Sequence, residues 1–75
     1  MASKEIVFEI TESIGVIGEG SKGWQKELNL ISWNGKAAKY DIRDWDPNHE
    51  KMGKGVTLSV EELKKLREIL NGMEL

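Results

Sequence analysis

Val56-Thr57-Leu58-Ser59-Val60-Glu61-Glu62-Leu63-Lys64-Lys65-Leu66-Arg67-Glu68-Ile69-Leu70 is where the hydrophobic period of this chain changes, and that change decides the fold. Val56 and Leu58 alternate with small polar neighbours, as a half-buried strand does. At Ser59 the alternation stops. Ser59-Val60-Glu61-Glu62 is a capping box, in which the Ser59 hydroxyl can accept from the Glu62 amide while the Glu62 carboxylate reaches back. Leu63, Leu66, Leu70 and Met73 then recur at helical spacing, with Lys64, Lys65, Arg67 and Glu68 elsewhere around the axis. Asn71-Gly72 supplies the stop. The spacing predicts a helix over 60–71 that follows a strand over 54–58.

Working upstream, every segment reads as strand or turn. Ile6, Phe8, Ile10, Ile14 and Val16 fall on even positions, and Glu5, Glu9, Thr11 and Ser13 on odd ones. This predicts a strand over 5–17, with a bend or bulge at Glu12. Gly18 to Gly23 is a turn by composition. Alternation resumes over 24–33, and Asn34-Gly35 is a hairpin signal because both residues tolerate positive φ. A third strand is expected over 38–45, ended by Asp46-Pro47-Asn48. The whole, residues 1–75, is expected to form one α+β domain: a four-stranded antiparallel sheet followed by one C-terminal helix, β-β-β-β-α. One amphipathic helix covers only one face of such a sheet.

Length and composition narrow the function classes. The chain has 75 residues, no cysteine and a single histidine, His49. A core this small usually needs a disulfide, a metal or a partner chain. Disulfides are impossible, and one histidine without cysteine makes a structural zinc site implausible. A homodimer is therefore expected, with the Leu63, Leu66 and Leu70 stripe at its helix. No stretch approaches the roughly 20 apolar residues of a membrane helix. Met1-Ala2-Ser3-Lys4-Glu5 leads straight into the first alternation without an apolar leader, so the expected location is the cytoplasm.

Three local motifs fail on context. Gly18-x-Gly20-x-x-Gly23 matches the dinucleotide fingerprint, and Asp41 and Asp44 follow at a suitable spacing. The phosphate of that motif sits on a helix N-terminus, however, and here an alternating segment follows. Asp44-x-Asp46-x-Asn48 opens like a calcium loop, but His49 stands where glycine is needed and Gly55 where glutamate is needed. Gly20-Ser21-Lys22-Gly23 is a GxxG between strands, whereas the KH loop joins helices. No nucleophile has a visible base, and Ser59 is committed as a cap. The expectation is a protein that is not an enzyme, with no catalytic residue, cofactor or metal.

The charge distribution is more informative than its total. The formal net charge is −2. Residues 1–21 carry −3, residues 22–56 carry +2 and residues 57–75 carry −1. Trp24, Trp33, Trp45 and Tyr40 all lie in the basic middle segment. Parity places Lys39, Asp41, Arg43 and Trp45 on one face of the third strand, and Tyr40 and Ile42 on the other. If Ile42, Leu28 and Leu30 face the helix, then Asn29, Ile31, Trp33, Arg43 and Trp45 lie on the uncovered face. An open face of that kind is a stacking platform with a cationic rail, suited to single-stranded nucleic acid.

Tyr40-Asp41-Ile42-Arg43-Asp44-Trp45, the following Asp46-Pro47, and Met52-Gly53-Lys54-Gly55-Val56-Thr57-Leu58-Ser59 resemble the single-stranded-DNA-binding domain of the transcriptional positive cofactor 4 family. Gly23-Trp24-Gln25-Lys26-Glu27-Leu28-Asn29 and His49-Glu50-Lys51-Met52-Gly53-Lys54-Gly55 resemble its bacterial YdbC-type branch. The resemblance implies a curved sheet, pairing through the helix and the sheets, and binding of single-stranded DNA with little sequence preference. It implies that Arg43 contacts nucleic acid, that Trp45 and Trp33 stack on bases, and that Lys54 meets phosphate. Lys26 falls at a basic position of the family's second strand. The serine- and lysine-rich arm of the eukaryotic coactivators is absent, so coactivation is not carried over.

The sequence therefore predicts a homodimeric single-stranded-DNA-binding protein of DNA metabolism or transcription regulation, associated with a bacterial nucleoid. Its expected contacts are Lys26, Asn29, Trp33, Lys36, Lys39, Arg43, Trp45, Lys51 and Lys54. Single-stranded RNA binding is one alternative. A protein-interaction module using the Trp/Arg face is another.

Overall fold

The computed structural model describes residues 7–75. Four strands form one sheet in the order β1-β2-β3-β4, and every neighbouring pair is antiparallel. They are β1 (Phe8–Glu19), β2 (Gln25–Trp33), β3 (Lys39–Trp45) and β4 (Met52–Leu58), and α1 (Val60–Asn71) follows. The expected fold class is the observed one. The part of the first expected strand before residue 7 lies outside the described residues.

The local signals act as their chemistry requires. Asn34 and Gly35 adopt φ of 52° and 76°, and the Lys36 amide donates to the Trp33 carbonyl at 2.9 Å. Two successive positive φ values match the right-handed twist of the flanking strands. The capping box at Ser59 closes in both directions: the Glu62 amide donates to Ser59 Oγ at 3.1 Å, and the Ser59 amide donates to Glu62 Oε1 at 2.8 Å. Gly72 ends the helix with φ −92°, so the stop uses no left-handed residue. Gly18 and Glu19 belong to β1, and the turn narrows to a 3-10 turn at Ser21–Gly23. Gly53 and Met52 belong to β4, which starts two residues before the expected 54.

The sheet curls strongly. Trp33 and Gln25 sit at opposite ends of β2, a span of about 26 Å in a straight strand at roughly 3.3 Å per residue. Phe8 pairs with Trp33, and Trp45 pairs with Gln25. Yet the Phe8 ring centroid lies 6.0 Å from that of Trp33 and 5.2 Å from that of Trp45. The ends of β2 are therefore folded toward one another. β1 carries register shifts between Ile10 and Glu12, Ser13 and Gly15, and Val16 and Gly18, and each such irregularity bends the strand.

Curvature reverses the expected burial. Parity sorts the faces as anticipated, but the face without the helix is the closed one. Ile31 is 0 % exposed, Asn29 1 % and Trp45 1 %. The reading that put these residues on an open surface is corrected: Phe8 and the β3–β4 loop roll over the concave side and fill it. On the convex side α1 stands off, leaving an apolar groove of about 360 Å³ lined by Ile17, Leu28, Ile42, Leu63, Leu66 and Leu70. Ile17 and Leu70 of its lining are about half exposed, as are Val56, Ile69 and Met73 elsewhere on the surface. The radius of gyration, 13.9 Å, exceeds the value of about 11 Å for a compact domain of this length. Among the described residues no helix is long and apolar enough to cross a membrane.

Candidate nucleic-acid interface

The concave face is organised around a carboxylate that water does not reach. Asp41 and Arg43 are two residues apart on β3, so their side chains rise from the same face. Arg43 donates from Nε to Asp41 Oδ1 at 2.6 Å and from Nη2 to Oδ2 at 2.9 Å, while Thr57 Oγ1 donates to Oδ2 at 2.8 Å. The Asp41 side chain is fully buried and that of Arg43 is 15 % exposed. Arg43 Nη1 also donates to the Gly53 carbonyl at 3.3 Å. Gly55 is required beside it, because a Cβ there would collide with the Ile42 carbonyl and the Arg43 side chain. The fork is thus fixed on every side, and its carbon lies 5.0 Å from the Trp33 ring centroid. A cation held over an indole stabilises it and fixes its tilt.

A second cluster lies on β2 and the β3–β4 loop. Glu27 and Asn29 share the concave face; Asn29 Nδ2 donates to Glu27 Oε1 at 3.0 Å. His49 Nε2 lies 2.9 Å from each Glu27 oxygen. The loop reaches this position because His49 adopts φ 57° and its amide donates to the Asp46 carbonyl. Its ring then stacks on Trp45, with centroids 5.5 Å apart and planes inclined by 29°. Trp45 is enclosed between Phe8 and His49. Among the described residues the buried indole N–H groups of Trp33 and Trp45 find no acceptor.

Asp46 anchors the loop from its other end. Its Oδ1 accepts from the amides of Glu50 and Lys51, each at 2.8 Å. The Lys51 amide above all, aided by Glu50 and Asn48 and opposed by some desolvation, holds this carboxyl below its ordinary value of 3.8. A depressed folded pKa gives stability that is present above the unfolded value and lost as pH falls through the folded one. The Glu50 and Lys51 amide resonances are therefore expected to shift below pH 3.8, while β2 amides at that pH stay in place. Two-dimensional NMR during acid titration checks this, and simultaneous loss of both sets would contradict a local anchor.

The expected contact residues separate into groups. Trp33, Arg43 and Trp45 are brought together through Phe8, and Asn29 joins Glu27 instead. Lys26 Nζ pairs with Asp44 at 3.1 Å on the helix-side face of the sheet. Lys36, Lys39, Lys51 and Lys54 are exposed, and among the described residues none lies within ion-pair distance of a carboxylate. Sequence reasoning missed Phe8, Glu27 and His49 as parts of one concave face, and it placed Asp41 there without giving it a role. The shared odd parity of Glu27, Asn29, Asp41 and Arg43 was the signal available.

Comparison with known proteins bears on this arrangement. The family described as Transcriptional Coactivator p15 (PC4) matches residues 21–69, which run from the turn before β2 into α1 and include both clusters. An uncharacterized protein from Treponema pallidum (strain Nichols) is 50 % identical over 68 residues, covering 91 % of this chain and 80 % of the relative. The match takes in Trp33, the Asp41–Arg43 fork and the Lys54-Gly55 step of β4, with β2, β3, β4 and most of α1, and so the chain belongs to the Transcriptional Coactivator p15 (PC4) family.

Proposed function

We propose that the protein binds single-stranded DNA with little sequence preference, as a homodimer, in bacterial DNA metabolism or transcription regulation. Family membership gives the coarser role, nucleic-acid binding. The observation that carries the finer reading is the Trp33 indole, half-buried and fixed under the Arg43 guanidinium at 5.0 Å. A preset aromatic plane is what an unpaired base needs, and stacking is indifferent to base identity. Lys36, Lys39, Lys51 and Lys54 supply mobile charges for the phosphates, with Lys26 shared between phosphate and Asp44. Arg43 and Trp45 act on this reading mainly by holding Trp33 and the β3–β4 loop in position, since both are largely buried. The partner chain seals the groove beneath α1 through Leu63, Leu66 and Leu70. The setting is the cytoplasm, at the nucleoid.

A short oligo-dT strand is expected to quench tryptophan fluorescence, with log affinity falling against log salt at a slope of about −0.7 per phosphate neutralised. Titration at several salt concentrations measures both, with RNA and duplex competitors in parallel. Absence of quenching and of retained strand at low salt would reject the reading; stronger competition by RNA would transfer it to RNA. Sedimentation equilibrium is expected to give twice the mass of the 8.5 kDa chain. A monomer mass at every concentration would remove the dimer.

A further inference from the structure

We propose that the cavity beneath the second bulge of β1 is a base pocket that accepts guanine, adding a preference at one position to the sequence-tolerant binding proposed above, on which it rests. The cavity, about 180 Å³, is bounded by Ser13 to Val16 of β1 and by Glu27, Asn29 and His49. That is below the 300–1,000 Å³ typical of pockets for drug-sized ligands, so it suits one base edge rather than a whole nucleotide. The bulge makes the room: Ile14 has no cross-strand partner, and the position of a Cβ on Gly15 meets nothing within 4 Å.

The inner wall is polar and nearly buried. Glu27 is 6 % exposed and Asn29 1 %. A carboxylate offers about four acceptor sites. The one Nε2 hydrogen of His49 and one hydrogen of Asn29 occupy about half of that capacity. The Arg43 side chain, whose residue pairs with Glu27 across the strands, is committed to Asp41 and adds no competing donor. What remains at the cavity is an acceptor-only group beside a carboxamide.

That chemistry discriminates among bases. Guanine presents two adjacent donors, N1–H and the 2-amino group, on one edge, and a carboxylate can accept both. Thymine presents a single N–H between two carbonyl oxygens, which a carboxylate repels. Adenine and cytosine each offer one amino group beside a ring acceptor. The ring of His49, stacked on Trp45, joins the pocket to the aromatic cluster, so a base can enter it while its neighbours run along the face. A loop clamp alone would need only the imidazole and the carboxylate. The open volume and the buried carboxamide are what a ligand explains.

The test compares three strands at one salt concentration by fluorescence anisotropy: oligo-dT, the same strand with one central guanine, and the same strand with inosine there. A good bidentate contact predicts roughly tenfold tighter binding of the guanine strand. Inosine lacks the 2-amino group and is expected to lose most of that gain, with no change to the protein. Glu27→Gln is expected to bring the guanine-to-thymine ratio close to one, a ratio that a purely structural role of Glu27 would leave unchanged. Equal binding of all three strands by the unaltered protein would overturn the pocket and leave the single-stranded-DNA reading standing. Binding of none would overturn both. A guanine preference that persists in a folded Glu27→Gln variant would overturn the assignment to Glu27.

Discussion

Trp45→Ala is expected to cost about 3–5 kcal/mol of stability, the range for removing a large aromatic from a packed core. A protein of 75 residues has about 4–11 kcal/mol in all, at roughly 0.05–0.15 kcal/mol per residue. The variant should therefore lose a large share of its stability and unfold at a clearly lower urea concentration. Trp45 is 1 % exposed and is the element on which Phe8 closes from one side and His49 from the other. Its loss releases both the start of β1 and the β3–β4 loop. Trp45→Phe keeps a ring for these contacts and removes the indole N–H that has no acceptor among the described residues, so its cost should stay below about 2 kcal/mol. Urea unfolding followed by near-ultraviolet circular dichroism separates the two. A fully stable Trp45→Ala protein would show that the curl does not depend on this ring.

Asp41→Ala should be comparably severe, at about 3–5 kcal/mol, because removing one partner of a buried ion pair leaves the other charge uncompensated. Three hydrogen bonds from Arg43 and Thr57 converge on this carboxylate. Among the described residues Arg43 is paired with no carboxylate but Asp41, and Glu27, its cross-strand neighbour, is held toward His49 and Asn29. Replacing the pair by apolar residues of similar size, Asp41→Leu with Arg43→Met, is expected to recover most of the loss. The double variant should still bind oligo-dT weakly, since no cation then fixes Trp33. Unfolding free energies of the single and double variants provide the measurement. Equal destabilisation by both would mean that the two charges are not coupled.

Much of the fold was legible in short segments. The capping box at Ser59, the Asn34-Gly35 turn and the parity of β2 and β3 are local chemistry, and each appears where the sequence indicated. Curvature was legible only in part. The first slip of β1 falls beside Glu12, where the alternation breaks, but the two later slips and the contact between Phe8 and Trp45 across the whole sheet have no local pattern. The site suffered from the same blind spot. Alternation assigns polar residues to water, and Glu27, Asn29 and Asp41 are polar. They are buried because each meets a partner, and their partners His49, Arg43 and Thr57 come from three different segments. The exposed lysines were easier, since an unpaired ammonium group has few other places to be.

The irregularities in β1 also restrict how copies of the chain can meet. An edge strand with an unbroken row of free amides and carbonyls is a template for another strand, and this one is twelve residues long with Ile14, Val16 and Ile17 exposed. Three interruptions leave no stretch of β1 longer than a few residues in regular phase, and they turn its outer rim away from a straight line. At the opposite edge, the pairing of β3 with β4 slips between Arg43 and Trp45. Neither rim can zip onto a straight neighbour for more than a short distance. Open-ended strand addition, which has no natural stopping point, is thereby disfavoured, and the proposed dimer is left to the convex face and the groove under α1.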